Sequence, residues 1–200
     1  MPTRERILLA AIGLFADRGY TGTSIRDIAQ AVDLSESAIY RHFRSKDTIL
    51  DSLLAEFERR LYQPLPPHPD DPLETGFIHS LLVGLPRLLA QDPILVQCSR
   101  FLLGEVHHDK KIREFIVSRF VDRAQDFTMS MINERFPDSR ELAASPEILS
   151  LVINSLRFGW LFGVLIQGDS LSEGLESLEE ELKILSDFLD KAITVKKRDE

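Results

Sequence analysis

The 200-residue chain lacks the sequence features that mark several protein classes. Its single cysteine, Cys98, excludes an intrachain disulfide and is typical of a reducing compartment. There is no Gly-rich phosphate loop, no nucleophile elbow and no helical His-Glu-x-x-His pair, so the common nucleotide-binding and hydrolytic motifs are absent. We therefore predict a protein that is not an enzyme and has no cofactor and no metal ion.

Long uninterrupted apolar runs are also missing. The most apolar stretch, residues 148–166, contains Asn154, Ser155 and Arg157, which argues against a membrane span and for a buried helix. The first residues lead directly into the charged segment 3–6, which does not resemble a signal peptide. These features predict a cytoplasmic protein without membrane contact.

The apolar residues recur at intervals of three and four, and alternation never persists, so we predict an all-α protein. Helical patterns beyond the N-terminal part cover 73–91, 94–106, 110–136, 146–167 and 172–194. A Pro-rich segment, 64–72, cannot continue a helix. The predicted organisation is therefore an N-terminal three-helix domain, a connecting helix, a linker and a helical body, at 1–45, 46–63, 64–72 and 73–200.

Residues 24–46 have the pattern of two short helices joined by a tight turn. Ser24 and Asp27 are spaced for a capping box at the start of the first helix. Asp33 lies in the turn, and Ser35 is a suitable N-cap for the second helix. The predicted buried residues of the two helices are Ile25, Ile28, Ala29, Val32, Leu34, Ile39 and Phe43.

The outer face of the second helix carries side chains that suit DNA phosphates. No acidic residue occurs from Ser37 to Lys46, whereas Arg41, Arg44 and Lys46 supply fixed positive charges. Lys46 follows Ser45, a predicted helix N-cap, and a cation in a first helical turn opposes the helix dipole. We therefore expect a phosphate outside the chain to compensate for Lys46.

The charge of the chain is unevenly distributed. The net charge is −8, but residues 1–63 contain nine basic and nine acidic side chains, so the whole excess of acid lies after residue 63. An acidic body would be repelled by DNA. We expect it to face away from the nucleic acid.

A longer run of residues has a specific resemblance. It includes Ala10-Ala11-Ile12-Gly13-Leu14-Phe15-Ala16-Asp17-Arg18-Gly19-Tyr20, Thr23-Ser24-Ile25-Arg26-Asp27-Ile28-Ala29 and Ser35-Glu36-Ser37-Ala38-Ile39-Tyr40-Arg41-His42-Phe43. This run, from Ile7 to Leu54, closely resembles the DNA-binding domain of TetR-type transcriptional regulators. Asp33 departs from the family pattern, which usually has glycine in the turn. Aspartate tolerates left-handed backbone at a cost of about 1 kcal/mol.

The resemblance implies a homodimeric repressor. We expect it to bind a palindromic operator and to be released by a small apolar effector. Arginine suits guanine and glutamate accepts from cytosine, so side chains on both helices are candidates for reading bases. The predicted DNA-binding residues are Ser24, Arg26, Ser35, Glu36, Ser37, Ala38, Tyr40, Arg41, His42 and Lys46.

The last two predicted helices have the features of an interface. Leucines of the last helix follow alternating steps of four and three, and Gly159 and Gly163 permit close helix approach. The leucine pattern alone also fits a monomer core, but the resemblance implies a dimer formed by these two helices. The predicted interface residues are Leu156, Gly159, Gly163, Leu175, Leu178, Leu182, Leu185 and Leu189.

The body is rich in large apolar side chains, and the resemblance implies an effector pocket there. Most of these side chains belong to a core, and any one polar residue among them more often lies at a surface. The predicted pocket residues are Phe101, Phe115, Phe120, Phe127, Met131, Trp160, Arg100, Asn154, Arg157 and Gln167.

Four alternatives remain open. Glu105, His107, His108 and Asp109 have a spacing that permits a metal site, although a solvated helix junction fits them better. Cys98 is either a small buried residue or a sensor thiol. A body that binds a protein partner instead of a small molecule is an alternative, and a helical enzyme is a remote one.

Overall fold

A computed structural model describes residues 1–62, 77–138 and 142–167. The prediction of an all-α protein is confirmed, and these ranges contain no β-strand. The helices are α1 (Thr3–Arg18), α2 (Ile25–Ala31), α3 (Glu36–His42), α4 (Lys46–Leu61), α5 (Phe77–Gln91), α6 (Pro93–Glu105), α7 (Lys110–Phe115), α8 (Asp122–Arg135) and α9 (Pro146–Gln167). The predicted helix at 172–194 and the Pro-rich segment 64–72 lie outside the described residues.

The starts of α2, α3 and α4 are fixed by local hydrogen bonds. Ser24 and Asp27 form a capping box, in which the Asp27 N–H donates to Ser24 Oγ at 3.1 Å and the Ser24 N–H donates to Asp27 Oδ2 at 2.8 Å. Ser35 accepts from the Ala38 N–H at 3.3 Å, and Ser45 accepts from the Thr48 N–H at 3.2 Å. The N-caps predicted from the sequence are confirmed, because capping depends on near neighbours in the chain.

The predicted helix over 110–136 is interrupted. Residues Ile116–Val121 form a π-helical turn between α7 and α8. Its hydrogen bonds span five residues instead of four, and periodicity of apolar residues does not reveal such a local widening.

The chain divides into two compact units. The first consists of Met1–Gln63 with Asp92–Val117, and the second consists of Pro64–Gln91 with Ser118–Glu200. These boundaries differ from the predicted division at residues 45, 63 and 72, because α6 and α7 pack with the N-terminal helices. Pairing between distant segments is a tertiary property that the chain order does not reveal.

The first unit has its own apolar core. Residues from α1, α3 and α4, including Ile12, Phe15, Ile39 and Leu50, are completely or almost completely buried. Phe15 lies 5.3 Å from Phe101 of α6, measured between ring centroids. This core gives α2 and α3 a rigid support.

The second unit packs α5, α8 and α9 around a separate core. Its buried residues are Ile78, Leu81, Leu82, Val83, Ile132, Phe136, Leu142, Leu149 and Ile153. Beside it, Asn154 accepts from Thr128 Oγ1 at 3.3 Å and donates to the Ala124 carbonyl at 3.3 Å. These bonds satisfy an amide that would be costly to bury alone.

Candidate nucleic-acid interface

The turn between α2 and α3 is closed by backbone hydrogen bonds. The Leu34 N–H donates to the Ala29 carbonyl at 2.9 Å, and the Asp33 N–H donates to Gln30 at 3.3 Å. Asp33 has a φ of 55°, the left-handed conformation that the sequence pattern suggested for this position. The turn therefore brings α2 and α3 together as a helix-turn-helix.

The two helices bury one face and expose the other. Ile28, Ala29, Val32, Ile39 and Phe43 are buried, as predicted. Ile25 and Leu34, which were predicted to be buried, are only half-buried.

Among the predicted DNA contacts on α2 and α3, Ala38 has a buried side chain. Its side chain is only 6% exposed, because it lies beside Ile39 on the face of α3 that packs inward. In this structure its methyl group is therefore not available to a thymine methyl group.

The remaining predicted contacts on the outer side of the motif are exposed. Tyr40 is 50% exposed, so its ring and hydroxyl group are accessible on the outer side of the motif. Ser24 and Ser35 are exposed, but their hydroxyl groups already serve as helix caps. The predicted contacts on α2 and α3 whose side chains are exposed are Arg26, Glu36, Ser37, Tyr40, Arg41 and His42.

Lys46 has partners inside the chain. Its Nζ donates to the carbonyls of Tyr20 and Thr23, at 2.7 and 2.8 Å, and lies 4.3 Å from the centroid of the Tyr20 ring. Burial lowers the pKa of this ammonium group, and the charge of Glu105 opposes that change. The sequence argument that this charge needs an external phosphate is therefore weakened, because the chain itself supplies partners. The phosphate contact of Lys46 stays a prediction.

We name residues 19–23 the α1–α2 loop. Glu105 also holds this loop, a role that the sequence did not indicate. Oε1 of Glu105 accepts from the Tyr20 N–H at 3.0 Å. Glu105 had been considered only as a member of a metal cluster. The contact joins residues 85 positions apart, so no local pattern could reveal it.

A neighbouring ion pair joins α7 to α4. Lys111 lies 3.0 Å from Asp47 and 2.5 Å from Asp51, measured from Nζ to the carboxylate oxygens. These carboxylates raise the pKa of Lys111, although burial acts in the opposite direction. Glu105, at the end of α6, thus contacts the α1–α2 loop, and Lys111 of α7 contacts α4. Both contacts hold segments that adjoin the helix-turn-helix.

The two carboxylates of the alternative metal site have other roles. Asp109 caps α7 by accepting from the Ile112 N–H at 3.0 Å, and Glu105 binds the α1–α2 loop. His107 and His108 are exposed. Within the described ranges, no three His, Cys, Asp or Glu side chains are grouped for a metal ion.

The predicted effector-pocket residues fall into both units. Phe101 and Phe115 belong to the first unit, where Phe115 packs against Phe57. The polar candidate Arg100, on α6, is exposed, which does not fit a pocket wall within that unit.

The other predicted pocket residues that can be placed lie in the second unit. Phe120 packs against Phe158, while Met131 and Trp160 lie against the core of that unit. Arg157 donates hydrogen bonds to Thr128 and Asn154. The polar pocket candidates Asn154 and Arg157 therefore belong to one internal network. Phe127 is 51% exposed on α8, and its place in a pocket stays a prediction. Gln167 is the last residue of α9.

Within the described residues, a groove of about 370 Å³ occurs in the first unit, between α1, α4 and α6. Leu9, Leu53 and Ile94 are among its apolar lining residues, and Arg4 and Glu56 are among the charged ones. Cys98 also lines it but is only 3% exposed, and burial raises its pKa to about 12. These values favour the small buried residue over the sensor thiol.

The second unit has an exposed apolar face on α9. It includes Leu151, which is 60% exposed, together with Val152, Leu156 and Phe162. Gly159 is exposed on the same helix, and a Cβ atom added there would meet no atom within 4 Å. The predicted interface residues Leu175, Leu178, Leu182, Leu185 and Leu189 lie outside the described residues. Among the described helices, none is long and apolar enough to cross a membrane.

Comparison with known proteins agrees with this geometry. Residues 7–53, which span α1 to α3 and half of α4, match the family described as bacterial regulatory proteins, tetR family. This match identifies residues 7–53 as the DNA-binding domain of a TetR-type transcriptional regulator. The resemblance drawn from the sequence is confirmed, and the helix-turn-helix is that family's DNA-binding element.

Curated relatives and solved structures extend the similarity. The transcriptional repressor KstR of Rhodococcus jostii is 29% identical over 161 residues, which are 79% of this chain and 72% of that protein. The repressor KstR2 of Mycolicibacterium smegmatis is 37% identical over 54 residues, only 27% of this chain and 26% of that protein. The structure of Salmonella enterica GusR has the same fold, with a TM-score of 0.64, 22% identity and coverage of 95% of this chain and 96% of that one.

Proposed function

We propose that this TetR-type regulator is a cytoplasmic repressor that binds a palindromic operator as a homodimer and leaves it when a small apolar effector binds. The observation that carries the DNA-binding part is the exposed outer face of α2 and α3. It presents Arg26, Glu36, Tyr40 and Arg41 on a support whose other face is buried. A helix of this kind enters the major groove and reads base edges there.

Repression is supported by the relatives. Both KstR and KstR2 are named as transcriptional repressors, and the first matches most of this chain. A repressor with two symmetric reading helices fits half-sites separated by about one turn of DNA. The exposed apolar face of α9 is suited to hold a second subunit.

Effector control would act through a shift of population. An apolar molecule needs only to bind more tightly to the conformation in which the two reading helices have the wrong spacing for successive major grooves. By linkage, operator binding then weakens effector binding by the same factor. The alternative, control by a protein partner, predicts no small molecule with this coupling.

The DNA-binding proposal is tested by selection from random double-stranded DNA with the full chain. We expect enrichment of a palindrome with two half-sites, protected in a footprint. A control with Arg41→Ala and Tyr40→Ala together should recover no common sequence, because two exposed contacts of α3 are removed. Failure of the wild-type chain to enrich any sequence would contradict the proposal.

Effector control needs a second experiment. Apolar compounds that raise the unfolding temperature are carried into an operator-release assay, since a ligand of the folded state stabilises it by mass action. We expect at least one compound to do both. If every stabilising compound leaves operator affinity unchanged, control by a small effector is wrong.

A further inference from the structure

The backbone of Tyr20 is bound on both sides by charged side chains from distant helices. Its N–H donates to Glu105 Oε1 at 3.0 Å, and its carbonyl accepts from Lys46 Nζ at 2.7 Å. Glu105 is the last residue of α6 and Lys46 is the first residue of α4. The α1–α2 loop is therefore fixed at one peptide position by two other helices of the same unit.

The approach of Glu105 is close enough to restrict the preceding residue. Gly19 has a φ of 74°, and a Cβ atom added to it would lie 2.7 Å from Glu105 Oε1. A side chain at Gly19 would thus conflict with both the backbone conformation and the carboxylate. The glycine allows the end of α6 to reach the loop.

The loop determines where the reading unit begins. Thr23 is buried, and its hydroxyl donates to the carbonyls of Leu14 and Gly19 at 3.2 and 3.0 Å. The next residue, Ser24, is the N-cap of α2. A change in the position of Tyr20 is therefore transmitted over four residues to the start of the helix-turn-helix.

We propose that Glu105 is a positioning residue for DNA recognition, which holds α2 and α3 in the orientation that fits the operator by accepting the Tyr20 N–H. This inference rests on the proposed DNA binding. Glu105 itself does not contact DNA in this proposal. Its role is to narrow the range of loop conformations before DNA binds, and such preorganisation lowers the cost of association.

A role in positioning differs from a role in holding the fold. The core of the first unit is formed by buried apolar residues from α1, α3, α4 and α6, and Glu105 is not part of it. Losing one hydrogen bond at a half-buried site should leave that core folded. The orientation of the loop, in contrast, depends on polar contacts with Glu105, Lys46 and Thr23, and Glu105 is the residue that binds the Tyr20 N–H, so we expect the loop to shift when that contact is lost.

Three substitutions separate hydrogen bonding from charge. Glu105→Gln keeps a side-chain oxygen at the same reach but removes the charge, whereas Glu105→Asp keeps the charge and shortens the side chain by one methylene. Glu105→Ala removes both. If the contact with the Tyr20 N–H matters, the Gln variant should resemble wild type, and the Asp and Ala variants should both be impaired.

The measurements are made on the full-length variants with the selected operator and with DNA of unrelated sequence. For Asp and Ala we expect operator affinity to fall about tenfold, the size expected when one charge-assisted hydrogen bond is lost. Affinity for unrelated DNA should be unchanged, because phosphate contacts tolerate small changes in orientation. Exchange of the Tyr20 amide hydrogen should become faster in these two variants.

Thermal unfolding of each variant provides the control for folding, and only variants with a cooperative transition near that of wild type are compared. Operator affinity equal to wild type for Ala, or higher than wild type, would overturn the proposal. So would impairment of Gln together with normal binding by Asp, because the charge near Lys46 would then be responsible. If wild type selects no operator, the proposed function fails first, and the two failures are therefore distinguishable.

Discussion

The ammonium group of Lys46 donates a hydrogen bond of 2.7 Å to the backbone carbonyl of Tyr20. It also binds the Thr23 carbonyl and lies over the Tyr20 ring. Three groups of the α1–α2 loop therefore compensate a cation that opposes the dipole of α4. These contacts compensate the charge of Lys46 without a bound phosphate.

The first prediction concerns the variant Lys46→Ala. It should lower the free energy of unfolding by about 1–2 kcal/mol, because two charge-assisted hydrogen bonds to the loop are lost. The slope of log K against log salt for DNA binding should remain within error, whereas Arg41→Ala, on the exposed face of α3, should reduce it by about one. Chemical denaturation and salt-titrated binding measure the two effects. If Lys46→Ala also reduced this slope by about one, Lys46 would have to be assigned a phosphate contact.

The second prediction concerns Asp33, whose φ of 55° is unfavourable for residues with a side chain. Asp33→Gly should raise the free energy of unfolding by about 0.5–1 kcal/mol, because glycine adopts this conformation without steric cost. Asp33→Ala should lower it by a similar amount, since alanine lacks the polar side chain that makes Asp tolerant. Equal stability of the two variants would show that the turn relaxes to another conformation.

These two residues show what the sequence could reveal. The left-handed turn at Asp33 and the caps Ser24, Ser35 and Ser45 depend on neighbours within a few positions, so their roles were predictable. The partners of Lys46 lie 23 and 26 residues away, and the partner of Glu105 lies 85 residues away. Such contacts depend on tertiary packing, which also decides the inward position of Ala38 and the exposure of Phe127.

The third prediction concerns base readout by Glu36. This residue is exposed in the first turn of α3, and its carboxylate can accept from cytosine N4. Glu36→Gln should change the preferred base at one position per half-site, with a difference of about 1–3 kcal/mol between bases, while binding to the best sequence of each protein stays similar. Parallel selections from random DNA measure this. Identical consensus sequences would remove Glu36 from the reading residues.

The fourth prediction concerns pH and the ion-pair network at the end of α4. Glu56 accepts from Arg59 at 2.6 and 2.8 Å and from Arg60 at 2.7 Å. Hydrogen bonding to Arg59 is the main reason that its pKa falls from 4.5 to about 2. Because the folded-state pKa is below the unfolded one, Glu56 stabilises the protein above about pH 4.5 and this contribution is lost as pH falls from there to about 2.

The variant Glu56→Gln measures that contribution. At pH 7 it should lower the free energy of unfolding by about 1–2 kcal/mol, less than the full pKa shift implies, because solvent screens a partly exposed pair. The difference from wild type should shrink as pH approaches 3. A double-mutant cycle with Arg59→Gln should show coupling at pH 7 that disappears in acid. Coupling that is independent of pH would rule out the carboxylate as its source.

The fifth prediction concerns the exposed apolar face of α9. In one subunit Leu151 already faces solvent, so Leu151→Glu should cost the isolated fold little. In a dimer that covers this face, the same change buries a carboxylate against apolar side chains and should separate the subunits. Asn133→Glu, at an exposed position of α8, adds the same charge elsewhere and serves as the control. Sedimentation across a range of concentrations measures the dimer.

Gly159 allows an independent test of the same face, because its substitution has opposite effects on the subunit and on the dimer. Gly159→Leu should stabilise a single subunit by roughly 0.5–1 kcal/mol, since leucine favours a helix more than glycine does and meets no atom within 4 Å in the described chain. If another helix packs closely at Gly159, the added side chain prevents that approach, so the dimer should dissociate and operator affinity should fall with it. A variant that is more stable and still fully dimeric would place the subunit interface away from this face of α9.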